Sequence, residues 1–429
     1  MDICVVALGK IGLPLAVQFA SAGHTVVGAD VDAGVVDLVN RGEEPFPGEA
    51  HLAEKLREAV DAGRLSATTD TTAAVAAADA VVIVVPLFVA ADGTPSWQWM
   101  DAATEAVGRG LKAGTLVSYE TTLPVGTTRN RFAPKLEELS GLTAGEDFHL
   151  VFSPERVLTG RVFADLRKYP KLVGGINQAS TDAAIAFYDA VLEFDERPDL
   201  PQANGVWDLG SSEASEFAKL AETTYRDVNI GLANQFARYA DQIDVDVLKV
   251  IDASNSQPYS HIHRPGIAVG GHCIPIYPRL YLWNDPAATV VSAAREANAG
   301  MPDYSLDLLA AAVGDLSGVP VLVLGAAYRG GVKETAFSGV FPLVEGLKAR
   351  GAVPYVSDPM YSDAELERLG LPPHRGEEVE AAVVQADHAE YASLTPADLP
   401  GVRVLVDGRR VTDASAWRGD GVRRIVIGG

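Results

Sequence analysis

Short β-branched runs alternate with helical stretches along the first 200 residues of the chain. Residues 3–6, 25–29, 80–85, 115–119 and 150–152 read as strands, and the intervals between them carry Ala, Leu and Glu at helical spacing. Such alternation predicts a doubly wound sheet. From Ser211 to about Ser254 it gives way to a run without Pro and with apolar positions at helical spacing, through Phe217, Leu220, Leu232, Phe236 and Tyr239. At about 44 residues this run exceeds a usual globular helix, so it is either two helices or one spine that packs on a partner subunit. A Pro/Gly/His-rich loop (257–278) and an Ala-rich helix (287–299) follow. The alternation then restarts at 319–325, with further strands at 353–356, 382–384 and 402–406, which makes the last third a second, smaller α/β domain.

A chain of 429 residues is too long for one ordinary core, so the change of pattern marks domains rather than decoration. Hydrophobic residues at 48% against 21% charged exclude a largely disordered protein. The formal charge of −22 opposes DNA, RNA and anionic membranes, so a phosphorylated ligand must be held by backbone amides and a few placed cations. The two cysteines include no C-x-x-C pair, which excludes a disulfide scaffold and a zinc or redox motif of that kind, and makes an intracellular, cytoplasmic protein the expectation. The N-terminus has no basic region before its first strand, so no signal peptide is expected. The longest apolar runs, such as 81–91, fall short of the ~18–20 residues of a membrane span.

The first candidate chemistry lies between the first two strands. Strand 3–6 leads through Ala7-Leu8-Gly9-Lys10-Ile11-Gly12 into an amphipathic helix and then into strand 25–29, which ends in Asp30. In a dinucleotide-binding layout one glycine lets backbone amides approach a pyrophosphate, the next lets the helix pack closely, and the helix N-terminus faces the phosphates. Asp30, 21 residues after Gly9, is placed to accept both ribose hydroxyls and would repel a 2′-phosphate, which favours NAD over NADP. Ala7 stands where the first glycine of the pattern belongs, which is tolerable if its φ is negative.

The second candidate is Gly270-Gly271-His272-Cys273-Ile274-Pro275. Paired glycines allow a substrate to lie against the backbone and leave the thiol unobstructed. A lone cysteine is more often a small buried hydrophobe, as mid-strand Cys4 illustrates. Gly, Pro and His are poor core material, however, and a cation such as His272 or Lys219 could stabilise a thiolate at Cys273. A nicotinamide site together with a loop cysteine suggests that an alcohol is oxidised to an aldehyde, captured as a thiohemiacetal, oxidised again to a thioester and released as an acid.

These residues fall within a longer series of ordered motifs. They are Gly9-Lys-Ile-Gly12-Leu-Pro-Leu-Ala16, Tyr119-Glu-Thr-Thr-Leu-Pro-Val-Gly-Thr-Thr128, Phe152-Ser-Pro-Glu-Arg-Val157, the stretch from Lys219 to Ile230, Val269-Gly-Gly-His-Cys-Ile-Pro275, Gly325-Ala-Ala-Tyr-Arg329, Asp358-Pro359 and Asp387-His388. In this order they resemble the UDP-glucose/GDP-mannose dehydrogenase superfamily, most closely its N-acetylhexosaminuronate-forming branch, over nearly the whole chain.

The resemblance implies two Rossmann-like doubly wound domains joined by a helical central dimerisation domain: 1–200 for NAD, 201–300 central with the catalytic loop, and 301–429 for the nucleotide of the sugar. It places Cys273 on the nucleophile, Lys219 on the catalytic lysine, Glu155 on the glutamate of thioester hydrolysis and Thr122 on the threonine that holds a water. It implies cofactor contacts from Gly9, Lys10, Ile11, Gly12, Asp30, Thr121 and Thr122. Substrate contacts are implied from Glu155, Arg156, Lys219, Thr223, Gly270, Gly271, Tyr328 and Arg329. A nucleotide-diphosphate sugar, a UDP-sugar in the first instance, is the implied substrate and a homodimer the implied assembly.

The pattern is broken at several positions. Tyr277 replaces an aspartate, Thr223 an asparagine, Leu87-Phe88 a Thr-Pro, Arg329 a lysine, and Ala336 and Tyr259 arginines. A bidentate fork is lost where arginine is replaced, so substrate recognition is expected to be rebuilt. Three readings stay open: four-electron oxidation to the uronic acid, an oxidation that stops after two electrons, and a nucleotide-sugar binder without turnover.

Overall fold

The structure, a computed structural model, describes residues 1–90, 92–418 and 421–429. By contacts it divides into two compact units, 1–221 and 222–429.

The first unit is built on eight strands. β1 (Asp2–Val6), β2 (Thr25–Ala29), β3 (Leu65–Thr68) and β4 (Ala80–Ile83) precede a small hairpin of β5 (Phe88–Val89) and β6 (Pro95–Ser96). β7 (Leu116–Tyr119), β8 (His149–Phe152), β9 (Lys171–Gly175) and β10 (Val206–Asp208) complete the sheet in the order β10-β9-β8-β7-β4-β1-β2-β3. From β3 to β8 every pairing is parallel, which is the doubly wound dinucleotide order. β9 reverses against β8. Alternate residues feed two apolar layers: Ile3 and Val5 join one, Cys4 and Val6 the other, so both faces of the sheet are covered.

In the second unit β11 (Pro320–Leu324), β12 (Val353–Ser357), β13 (Ala381–Val384), β14 (Val404–Asp407) and β15 (Arg423–Val426) form an all-parallel sheet ordered β12-β11-β13-β14-β15. This is the other common doubly wound order. Val321 and Val323 pack on one side, Leu322 and Leu324 on the other.

The long polar–apolar run resolves into two helices. Ser212–Gln242, of 31 residues, continues across the boundary at 221, and Val247–Asn255 follows. Asp244 breaks the run at φ 54°, and Asp246 caps the second helix by accepting the Leu248 N–H at 3.0 Å. The α/β character and the paired doubly wound domains stand as the sequence suggested. Strands β3, β9, β10 and β15 and the β5–β6 hairpin are additional to those read from it; the four sheet strands each begin or end among charged or polar side chains that blur a short apolar signal. Among the described residues no helix is long and apolar enough to cross a membrane.

Candidate active site

β1 hands the chain to helix Gly12–Ser21 through a turn whose first residue, Ala7, has φ 76°. The condition under which Ala7 is free of strain, a negative φ, is therefore not met. Its N–H must donate to the Ala29 carbonyl, at 2.8 Å, while the chain swings toward the helix, and that forces the left-handed conformation. Such a conformation costs about 1–2 kcal/mol for a residue with a Cβ. Gly12 cannot be replaced cheaply: a Cβ there would lie 1.9 Å from the Ala7 carbonyl oxygen, whereas one on Gly9 would meet open space. The helix has neither a side-chain cap nor an acidic residue in its first turn, so its leading N–H groups are suited to an anion.

Asp30 closes the turn from the end of β2. It accepts the Leu8 N–H at 2.7 Å on one oxygen and the Asp32 N–H at 2.9 Å on the other, and it remains partly exposed. These residues fit NAD: an open glycine face and a helix terminus for the pyrophosphate, and a fixed carboxylate with lone pairs left for ribose hydroxyls. Lys10 is exposed beside them and Ile11 half-buried.

The remaining expected residues of the first unit sit at the same, carboxyl, edge of the sheet. Thr121 and Thr122 follow β7; the Thr121 hydroxyl donates to the Val85 carbonyl at 2.7 Å, and Thr122 is buried. The turn after them is held by Glu216 of the long helix, whose carboxylate accepts the N–H groups of Gly126 and Thr128 and the Thr128 hydroxyl. Burial pushes that carboxyl up to about 7 in spite of these bonds. Lys219, one turn further along the helix, is buried, only 8% exposed.

Glu155 follows β8. One of its oxygens accepts the Arg156 N–H at 2.7 Å and the other meets the Lys171 ammonium at 3.0 Å. Burial pushes its carboxyl up, but the Lys171 charge and these bonds outweigh burial and hold it below the usual value. The Arg156 guanidinium donates to the Pro170 carbonyl at 3.3 Å.

In the second unit the cysteine loop is fastened to the segment after β11. The Gly271 N–H donates to the Ala336 carbonyl at 2.8 Å, and His272 meets Glu334 at 3.5 Å. A Cβ on Gly270 would lie 2.6 Å from the Tyr328 Cβ, so the bare backbone at this glycine is what lets Tyr328 pack against the loop. Cys273 is exposed, and its carbonyl accepts the Ile276 and Tyr277 N–H groups at the start of helix Tyr277–Asn284. Cys4, by contrast, is buried and its thiol is pushed up to about 12 by burial alone. Arg329 is exposed, donates to the Tyr328 hydroxyl at 3.2 Å and lies over that ring; Thr223 is buried on the long helix.

The structure adds residues that sequence reasoning missed. Lys171 pairs with both Glu155 and Glu120, and Glu120 in turn accepts the Tyr188 hydroxyl. Arg409, half-buried, donates to the Gln385 and Tyr328 carbonyls at 2.6 and 3.3 Å. Lysine and arginine are seldom placed inside on sequence grounds, because burial needs a partner that only the fold supplies.

A dinucleotide turn with its acidic ribose acceptor and an exposed loop cysteine place the chain among NAD-dependent oxidoreductases. It belongs to the UDP-glucose/GDP-mannose dehydrogenase family: the NAD binding domain matches residues 1–192, the central domain 213–299 and the UDP binding domain 322–414. It is 33% identical over 424 residues to a UDP-N-acetyl-D-mannosamine dehydrogenase of Pyrococcus horikoshii, covering 96% of each chain. A solved UDP-D-ManNAc dehydrogenase from Pyrococcus horikoshii superposes with a TM-score of 0.88 at 30% identity, over 100% of this chain and 99% of that one. A UDP-glucose dehydrogenase from Pyrobaculum islandicum gives 0.86 at 28%, over 99% and 97%. The chain is thus an NAD-dependent oxidoreductase of nucleotide sugars.

Proposed function

We propose that the protein oxidises the C6 alcohol of a UDP-N-acetylhexosamine, with UDP-N-acetylmannosamine the first candidate, to the uronic acid, using two NAD⁺. The reading is carried by the exposed Cys273 thiol on a glycine loop fastened to the UDP binding domain, in a chain whose full-length relatives are UDP-N-acetyl-D-mannosamine dehydrogenases. Residues 1–200 hold the cofactor, 201–300 carry the nucleophile and 301–429 hold the nucleotide of the sugar. Free cysteines and an NAD requirement support a cytoplasmic setting.

Gly9, Lys10, Ile11, Gly12, Asp30, Thr121 and Thr122 hold NAD, which when bound accepts a hydride from the reacting carbon in each oxidation. The Cys273 sulfur adds to the aldehyde carbon and the carbonyl oxygen takes a proton, giving a thiohemiacetal; loss of the hydroxyl proton to solvent and of hydride from the same carbon leaves a thioester. Water ordered by Thr122 then adds to the thioester carbon, Glu155 takes its proton, the C–S bond breaks and the sulfur departs with the electron pair. Lys219 faces the oxygen that gains negative charge at each addition. Arg156, Thr223, Gly270, Gly271, Tyr328 and Arg329 position the sugar nucleotide.

A panel of UDP-glucose, UDP-N-acetylglucosamine and UDP-N-acetylmannosamine, followed by NADH absorbance and product mass, tests this. Two NADH per sugar are expected. One NADH per sugar would point to the two-electron oxidation, which Tyr277 and Thr223 in place of acid and amide make chemically reasonable; none would overturn both. Cys273→Ser is expected to stall after at most one hydride, and an acid product from that variant would exclude the thioester.

A homodimer is part of the proposal. Tyr225, Leu232, Phe236 and Tyr239 are exposed at helical spacing on Ser212–Gln242, an apolar stripe that a second copy would cover. Sedimentation at micromolar concentration should give twice the chain mass, and a monomer would refute it.

A further inference from the structure

The strand reversal in the first sheet has a chemical consequence. β8 and β9 pair antiparallel as Val151↔Gly175 and Phe152↔Gly174. Continued past the end of β8, that register sets Glu155 opposite Lys171, the first residue of β9. Two further bonds follow the same course: the Ser153 hydroxyl donates to the Leu172 carbonyl at 2.7 Å, and Arg156 reaches the Pro170 carbonyl. A parallel β9 would have put its amino end at the opposite edge of the sheet, far from Glu155.

Lys171 is 4% exposed and serves two acids at once. Its ammonium donates to Glu155 at 3.0 Å and to Glu120, the residue after β7, at 2.7 Å. The second oxygen of Glu120 accepts the Tyr188 hydroxyl at 2.6 Å, and that hydroxyl meets Ser118 at 2.7 Å. The ammonium also lies 4.9 Å from the centre of the Tyr188 ring. Glu120 is fully enclosed and immediately precedes Thr121 and Thr122. Arg156 and Asp165 complete the charged groups around Glu155. Lys171 thus joins the Thr122 turn to the Glu155 turn across two neighbouring strands.

We propose that Lys171 is a positioning residue for the hydrolytic half of the reaction, holding Glu155 ionised and aimed while tying it through Glu120 to the turn that carries Thr122. The inference rests on the proposed role of Glu155 as the base that takes a proton from water. With one ammonium shared by two carboxylates, the group carries a surplus negative charge. Burial raises Glu120, so a proton entering the pair at neutral pH is stored there rather than on Glu155.

The experiment compares wild type with Lys171→Met, Lys171→Arg, Glu120→Gln and Glu155→Gln, using the UDP-sugar that turns over in the panel. Rapid mixing reads the NADH formed before thioester hydrolysis, and steady-state assays read kcat, KM and their pH dependence. For Lys171→Met we expect the rapid NADH phase to persist, kcat to fall about tenfold or more, and KM to change little. A base must be ionised to act, so raising its pKa moves the acid limb of the kcat profile upward; loss of the ammonium should shift it by about one unit or more. Lys171→Arg should restore most of the rate.

Glu120→Gln keeps a neutral group where Glu120 is protonated throughout the acid limb, so that limb should stay in place, while the loosened tie to the Thr122 turn should lower kcat with the rapid NADH phase intact. This variant keeps the test decisive should Lys171→Met fail to fold by circular dichroism. Loss of the rapid phase together with kcat in either variant, an acid limb unmoved in folded Lys171→Met, or a wild-type kcat in Glu120→Gln overturns the inference. If Glu155→Gln hydrolyses the thioester at the wild-type rate, the Glu155 reading itself fails. If Glu155→Gln stalls while Lys171→Met does not, only the role of Lys171 fails.

Discussion

The turns that leave β1 and β11 are built alike and used differently. Each begins with a residue at positive φ, Ala7 at 76° and Gly325 at 105°, whose N–H donates to the end of the adjoining strand, Ala29 or Ser357. Each then lays the next N–H on an aspartate at the end of that strand: Leu8 on Asp30 and Ala326 on Asp358, both at 2.7 Å. The second oxygen accepts an N–H two residues on, from Asp32 or Met360. At this point the resemblance ends. Asp358 is buried and also accepts the Ala327 N–H at 3.0 Å and His388 Nε2 at 3.1 Å, while His388 Nδ1 accepts the Gly331 N–H at 3.4 Å. Asp30 keeps a partly exposed face. The lesson is that an acid at the end of the second strand is part of the turn itself, and only its exposure tells whether a ribose can use it.

The largest expected effect separates the two acids. Asp358→Ala strips a buried cluster of three N–H groups and a histidine, and should cost about 3 kcal/mol or more in urea unfolding. Asp30→Ala should cost about 1 kcal/mol, since its N–H donors can turn to water, yet weaken NAD binding about tenfold by titration calorimetry. Equal losses of stability, or unchanged NAD affinity in Asp30→Ala, would erase the distinction. A smaller effect sharpens it. Ala7→Gly should stabilise the first unit by about 0.5–1 kcal/mol, because the native φ is one that glycine adopts without strain. Gly325→Ala should destabilise, because its Cβ would fall 2.4 Å from the Ala386 Cβ. A destabilised Ala7→Gly would show that the methyl group contributes more than the strain costs.

Reading the chain residue by residue recovered the strand before Ala7, the helix opened by Gly12, the strand before Asp30, and a loop rather than core position for Cys273, because each is announced by its own neighbours. Glu155 and Lys219 stood out only through the order of motifs around them. Lys171 was invisible: it lies 16 residues from Glu155 after a Tyr-Pro pair, and a lysine opening a four-residue apolar run looks like a solvent-facing edge. The sign of the Ala7 φ was left as a condition by the sequence, because it goes with a hydrogen bond to Ala29 on the neighbouring strand. The same holds for Gly270, whose missing side chain makes room for Tyr328, 58 residues away in sequence.

What this sequence determined by itself is the periodicity of its elements, their winding into two parallel sheets and the presence of a dinucleotide turn and a loop cysteine, since these follow from local spacing and the shape of individual residues. The tertiary structure alone decided which charges are buried together, which of two similar aspartates remains open and which strand runs backward. Those depend on pairing across the sheet, where a side chain's surroundings are supplied by residues far along the chain.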